Sequence, residues 1–330
     1  MPLERISPYM LSPVSTNGAN AAANAYIVYN AATGLVEWSI TDAKGFQGTV
    51  SGYTSGGGTP ADVNTIDKFP FASDGNATDV GDLSQIRRGA AGQSSTVSGY
   101  TSGGVPNINT IDKFPFSTNA NASDVGDLTA GRYFSAGQSS SSFGYTSGGN
   151  TPTAVNTVDE FSFATDGNAT DVGDLTQARG SVTGQNSTVS GYVSGGGAAP
   201  APVNIIDKFP FAANDNASDV GDLSVARRTP AGQSSTESGY TSGGGNPLAI
   251  NTIDKFPFAS NANASDVGDL SLIRRASAGQ SSTVSGYTSG GGSPPAVYNN
   301  IDKFPFASNA NATDVGDLTS ARWEVAGQQT

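Results

Sequence analysis

The sequence predicts an all-β protein built from one unit repeated six times, and three observations carry that expectation. A Gly-Tyr pair recurs at Gly52-Tyr53, Gly99-Tyr100, Gly144-Tyr145, Gly191-Tyr192, Gly239-Tyr240 and Gly286-Tyr287, with spacings of 47, 45, 47, 48 and 47 residues. Glycine accounts for 43 of the 330 residues and charged residues for only 13%. That profile fits short strands joined by tight turns, where Gly supplies positive φ and Asn, Asp and Ser close their own turns. No window carries an uninterrupted apolar period of ~3.6 residues, so helix finds no support. A period of ~40–50 residues with several strands per copy is the mark of a β-propeller blade.

Residues 1–45 stand outside the repeat. Within them "AYIVYNAATGLVEWSI" (Ala25–Ile40) reads as two strands around Ala-Thr-Gly, a hairpin, after the linker-like "SPVSTNGANAAAN". Residues 46–330 hold the six copies. In the second copy Ala90–Val97 is expected as strand a, Ser98–Gly104 as b, Asn109–Phe116 as c and Ser123–Thr129 as d. Twelve of the fifteen phenylalanines form Phe-x-Phe pairs, such as Phe69/Phe71 and Phe256/Phe258. This spacing puts both rings on one face of a strand, where they can fill the space between blades. Each buried ring contributes roughly 1.5–3 kcal/mol. The proline inside most pairs (Pro70, Pro115, Pro210, Pro257, Pro305) has no N–H for a ladder, so it marks a bulge or a strand end. The last copy runs on into "RWEVAGQQT" (Arg322–Thr330), which aligns with strand a, whereas the first copy has only "GFQGT" (Gly45–Thr49) there. A C-terminal strand that completes the first blade would close a six-bladed ring. The alternative is seven blades, the extra one drawing on the N-terminal strands.

The order "GYTSGG", "IDKFPF", "DVGDLSQIRR" resembles the kelch repeat over roughly residues 46–330. Its double glycine (Gly56-Gly57, Gly103-Gly104 and copies) and following arginine (Arg87, Arg132, Arg179, Arg227, Arg274, Arg322) match; its tryptophan does not, Val80 and copies standing near that place. The wording "IDKFPFA…NATDVGDL…AGQSS…GYTSGG" is similar to kelch-like proteins of tailed bacteriophages, especially marine and cyanobacterial ones. The resemblance implies a virion protein, a fibre or surface-appended component on the outside of the particle. It implies adhesion to a host-surface glycan or protein, or a purely structural place in capsid or tail. The arm 1–45 resembles the attachment or oligomerisation end of a phage fibre protein, with other virion proteins as partners and a homotrimer as one assembly; a plain extension is the alternative.

Composition excludes several classes. The chain contains neither Cys nor His, so no disulfide, thiol nucleophile or His-based triad is available, nor the usual zinc site. No apolar run approaches the ~18 residues a membrane helix needs. "MPLERISPYML" lacks the charged start and apolar core of a secretory signal, so release by another route, such as lysis, is expected for work outside a cell. A net charge of −12 argues against nucleic acid, whose binding rests on Lys and Arg neutralising phosphates.

The repeated acidic segment, "DKFPFASDGNATDVGDL" in the first copy, offers two chemistries. Asp74, Asn76, Thr78, Asp79 and Asp82 space oxygens in the manner of a calcium loop, but no bidentate Glu follows at a fixed distance. Asp79/Asp82 and Asp314/Asp317 suggest paired glycosidase carboxylates, yet six equivalent pairs cannot serve one site, and unrepeated acids such as Glu160, Glu237 and Glu324 are scattered. The favoured reading is scaffold: turns that bond their own backbone, and a repeated Asp–Arg or Asp–backbone bond tying blade to blade. The six Asn-Ala-Ser/Thr sequons read as turns too. No enzyme activity, cofactor or metal is expected. Function should lie where the copies differ, after the double glycine and around the arginine. These are the b–c and d–a loops, which share one face. Tyr133, Phe134, Trp323, Tyr298, Asn107 and Arg88 are the ligand-binding candidates there, the aromatic ones expected to be exposed, because loops on a rigid scaffold carry recognition.

Overall fold

The computed structural model describes residues 26–30, 35–39, 47–197 and 201–330. The chain divides into two compact units, Met1–Ala43 and Lys44–Thr330. In the first, Tyr26–Asn30 and Leu35–Ser39 pair antiparallel, the hairpin read from the sequence; the rest of residues 1–45, expected from the sequence to be an attachment or oligomerisation arm, lies outside the described residues.

The second unit is a six-bladed β-propeller of four-stranded antiparallel sheets. Blade 2 shows the pattern: strand a is Ala91–Ser94, b is Ser98–Ser102, c is Thr110–Pro115 and d is Ser123–Asp127, hydrogen-bonded in that order. Blade 1 takes its strand a from the C-terminus, Ala326–Gln329, which pairs with Ser51–Ser55. The ring therefore closes with six blades and not seven. Gly48 makes only an isolated bridge to Ser282. Each of the five prolines ends strand c, and the bulge falls earlier, between Ile111 and Asp112 in blade 2.

Aromatic rings fill the spaces between blades. Tyr53 of blade 1 lies 5.6 Å from Phe114 and 4.9 Å from Phe116 of blade 2, centroid to centroid. The contact repeats around the ring until Tyr287 of blade 6 meets Phe69 and Phe71 of blade 1. Polar ties run beside them. Arg87 reaches Asp112, and the same link joins every neighbouring pair of blades, ending with Arg322 and Asp67, at 2.5 to 3.0 Å. All twelve side chains are at most 1% exposed. Burial lowers the pKa of Arg87 from its ordinary value, with Asp112 opposing it. Asp112 also accepts bonds from the N–H and hydroxyl of Ser84, so its oxygens are satisfied, as a buried carboxylate requires.

The acidic segment is used the same way. Asp79 accepts the N–H of Gly81, an Asx turn, and Asn76 accepts the N–H of Asp317 in the neighbouring blade. Asn121, Asn168, Asn216, Asn263 and Asn311 repeat that cross-blade bond. Each turn thus occupies the outer strand of the blade before it, covering an edge that would otherwise offer unpaired groups. Among the described residues, no cluster of three or more Asp, Glu, His or Cys is arranged to hold a metal.

The six a strands surround the axis. Gly92, Gly137, Gly184, Gly232, Gly279 and Gly327 form its waist, where a Cβ on any one would collide with the carbonyl oxygen of the glycine in the preceding blade. Only glycine lets six backbones approach this closely.

Candidate functional site

The two variable loop sets form one continuous rim. The residue after each buried arginine pairs through its backbone with the b–c loop of the blade that follows: Arg88 with Val105, Tyr133 with Asn150, Gly180 with Gly197, Arg228 with Gly245, Arg275 with Gly292 and Trp323 with Gly58. These bonds use main-chain atoms, so the side chains there are unconstrained by them.

Inside this rim lies a second, tighter ring. Gly89, Phe134, Ser181, Thr229, Ala276 and Glu324 all adopt left-handed backbone conformations, with φ between 52° and 63°. Each donates its N–H to the carbonyl of the equivalent residue one blade back, at 2.6 to 2.8 Å, and Gly89 closes the circle on Glu324. A left-handed residue other than Gly costs roughly 1–2 kcal/mol, and the closed hydrogen-bond circle holds five such residues in place. A cavity of about 110 Å³ lies between this ring and the glycine waist. On the opposite side of the waist a smaller cavity of about 50 Å³ is lined by Gln93, Ser94, Ser139, Asn186, Ser234 and Gln329, among others. Gln47 and Gly48 hydrogen-bond to the carbonyls of Ser234 and Ser281 there.

The sequence-derived candidates separate into two groups. Arg88, Tyr133, Phe134 and Trp323 all lie on the axial rim. The ring of Phe134 covers Gly89, filling the space a side chain would take, and stands edge-on to Tyr133 at 5.2 Å. Trp323 approaches Gly58, as Arg88 does. Asn107 and Tyr298 belong to the b–c loops. Asn107 is exposed with φ of 61°, and its carbonyl rests against Gly131. Tyr298 bonds Gly291 through its N–H and Arg322 through its carbonyl, the anchoring position that Val63, Ile108, Val155, Val203 and Ile250 fill in the other blades. Tyr133, Phe134, Trp323 and Tyr298 are half-buried, not exposed as expected from the sequence, because the paired loops pack against them.

Two carboxylates complete the rim. Asp62 accepts from Arg88 Nη1 at 2.6 Å, and Glu324 lies 2.8 Å from Arg88 Nε. The bond to Asp62 chiefly raises the pKa of Arg88, while burial pushes that of Glu324 up despite Arg88 beside it. A sequence signal for this trio exists: Asp62 and Glu324 are the only acids in the b–c and d–a loops. Their partnership does not show in the sequence, because Asp62 and Glu324 stand 262 positions apart and meet only when the ring closes.

Fold and rim together define a closed, repeat-built propeller with one varied end. The chain matches no protein-family model and no curated protein sequence.

Proposed function

We propose that this chain is a kelch-like propeller of a tailed-phage particle, a fibre or surface-appended protein that recognises a host-surface glycan or protein through its b–c and d–a rim. The observation behind the reading is the joining of the two variable loop sets into one rim on an otherwise repetitive scaffold. The phage and kelch parts of the proposal rest on the wording of the repeat. The buried arginine at the kelch position, bonded to the next blade's aspartate, supports the kelch comparison.

The reading is non-enzymatic. Glycosidic cleavage needs two carboxylates flanking the scissile bond, and Asp62 and Glu324 instead converge on the guanidinium of Arg88. The test is binding of the labelled full chain to host cells and, in parallel, to virions stripped of this protein, with soluble sugar release monitored. Saturable host binding lost in Tyr133→Ala plus Trp323→Ala supports adhesion by the rim. Binding to stripped virions alone makes the propeller a structural fitting, and sugar release makes it an enzyme.

A further inference from the structure

We infer that the a–b and c–d end carries a second interaction surface, an apolar arc of Val284, Val50 and Val97 that seats the propeller on a protein of the particle. The inference rests on the reading of the chain as a virion component and adds to it the face turned toward the particle.

The place where the chain enters the propeller carries the argument. Gln47 Nε2 donates to the carbonyl of Ser234 in blade 5, and the N–H of Gly48 to that of Ser281 in blade 6. Both acceptors belong to residues that line the axial cavity at this end. The N–H groups of Thr49, Val50 and Ser51 then converge on the carbonyl oxygen of Thr330, which follows strand a of blade 1. Residues 47–51 are thus pinned to three blades, and residues 1–46 join the propeller on this face.

The a–b turns of the same end put one residue of each blade at their tip: Val50, Val97, Ser142, Val189, Glu237 and Val284, in ring order. Each tip is held through its carbonyl, which accepts the N–H of the second phenylalanine of the Phe-x-Phe pair, Phe71 for Val50 and Phe116 for Val97. That bond leaves the side chain free, and Ser142 and Glu237 show that the turn forms without valine. Yet four of the tips are valine, 58 to 66% exposed, where a turn ordinarily takes Gly, Asn, Asp or Ser. The other exposed large apolar side chains among the described residues, Ile86, Val225, Leu248, Leu272 and Ile273, all lie in the b–c and d–a loops. Large apolar side chains stand exposed at this end in one structural position alone.

Three of the four valines are neighbours. Blades 6, 1 and 2 follow one another across the closure of the ring, so Val284, Val50 and Val97 form an arc centred on the entry segment itself. Val189 stands alone between Ser142 and Glu237. A single exposed apolar residue is ordinary, whereas a group rimmed by polar residues marks an interaction site. Farther from the axis lie the c–d turns with exposed Ser, Asn and Asp, which gives the apolar centre and polar rim of a protein interface. Valine has only apolar contact to offer, so the partner answers with apolar side chains and is a protein. A tether rooted at Gln47 and fixed to a particle protein raises the effective concentration of that protein beside its own root. A small arc placed there is therefore occupied, and the same arc elsewhere would not be.

The experiment measures binding of the labelled full chain to virions stripped of this protein and to host cells. Val97→Ser plus Val284→Ser installs the residue that blade 3 carries at Ser142, so the thermal midpoint should not change. Binding to stripped virions should weaken by about tenfold or more, with host-cell binding retained. Val189→Ser, outside the arc, should leave both intact. Unchanged virion binding in the double variant, or an equal loss in Val189→Ser, would overturn the arc and leave the virion reading standing. Unchanged virion binding with loss of self-association would assign the arc to a second copy of the chain and overturn it too. Host-cell binding without any binding to stripped virions would overturn the seating on the particle alone, and binding to neither would end both.

Discussion

The two ends of the propeller differ in how far repeated side-chain bonds help to hold their loops. At the a–b and c–d end, side-chain bonds add to main-chain ones such as Ser95 N–H to Ser98 O and Ala122 N–H to Asp82 O: Ser95 accepts the N–H of Ser98, Asp79 that of Gly81, and Asn121 that of Asp82 across the blade boundary. At the b–c and d–a end, the repeating bonds run between main-chain atoms, as in Val105 N–H to Arg88 O and Phe134 N–H to Gly89 O. A loop held by its side chains cannot change sequence without losing its bonds, whereas a loop held by its backbone can carry almost any residue. This accounts for one end repeating Asn, Asp and Ser while the other shows Gly, Phe, Ser, Thr, Ala and Glu at one conformation. Tolerance alone would not favour large side chains. Yet three arginines, a tyrosine and a tryptophan hold five of the six outer rim positions.

The largest expected effect lies beneath both ends, in the ties between blades. Asp112→Ala leaves Arg87 buried and unpaired and removes the acceptor for both Ser84 donors. Truncating one partner of a buried pair costs about 3–5 kcal/mol, read as a lower midpoint in urea. A loss under about 1 kcal/mol, the level of an exposed pair, would show that the aromatic contacts alone hold the blades together.

A matched pair of variants tests the contrast itself. Asn121→Ala removes a side-chain acceptor from the N–H of Asp82 in an exposed bond and should cost about 0.5–1.5 kcal/mol. Ala276→Gly, at φ of 58°, relieves the left-handed backbone and leaves the hydrogen-bond circle intact, so it should be neutral or stabilising by up to about 1 kcal/mol. Destabilisation by Ala276→Gly comparable to that of Asn121→Ala would mean that rim side chains do hold the loops, and the contrast would fail.

Much of the scaffold was legible because repetition exposes it. The Gly-Tyr period gave the blade count, and the overhanging Arg322–Thr330 the closure. The Phe-x-Phe pairs marked the space between blades, and the repeated Asp and Arg the ties. What the sequence hid was set by ring closure and by backbone geometry. The cross-blade role of Asn121 needs to be known from the position of the next blade. The left-handed circle has no residue signature, since Phe134, Thr229 and Glu324 are poor guesses for positive φ. Half-burial of Tyr133, Phe134, Trp323 and Tyr298 follows from loop pairing that the loops' own residues do not specify. Asp62, Arg88 and Glu324 come from chain segments far apart and meet only at the junction of the last blade with the first.

That junction supplies the smallest expected effect. Burial raises the pKa of Glu324 from its ordinary value, and Arg88, with Arg275, only partly offsets it. In the unfolded chain the group ionises at its ordinary value. Below that value both states hold the proton and Glu324 has no pH-dependent effect. As pH rises from the ordinary value through the raised one, the folded state holds more proton than the unfolded state, so stability contributed at this position falls. Glu324→Gln removes the ionisation and keeps the backbone circle, because its bonds use only the N–H and carbonyl of that residue. The thermal midpoint of Glu324→Gln relative to wild type should therefore climb as pH is raised through this window and level off above it. Parallel curves would mean that burial and Arg88 cancel. A relative midpoint that falls with pH would mean that Arg88 holds the ionised carboxylate, making Glu324 a rim residue whose side chain, like those at the opposite end, helps fix its loop.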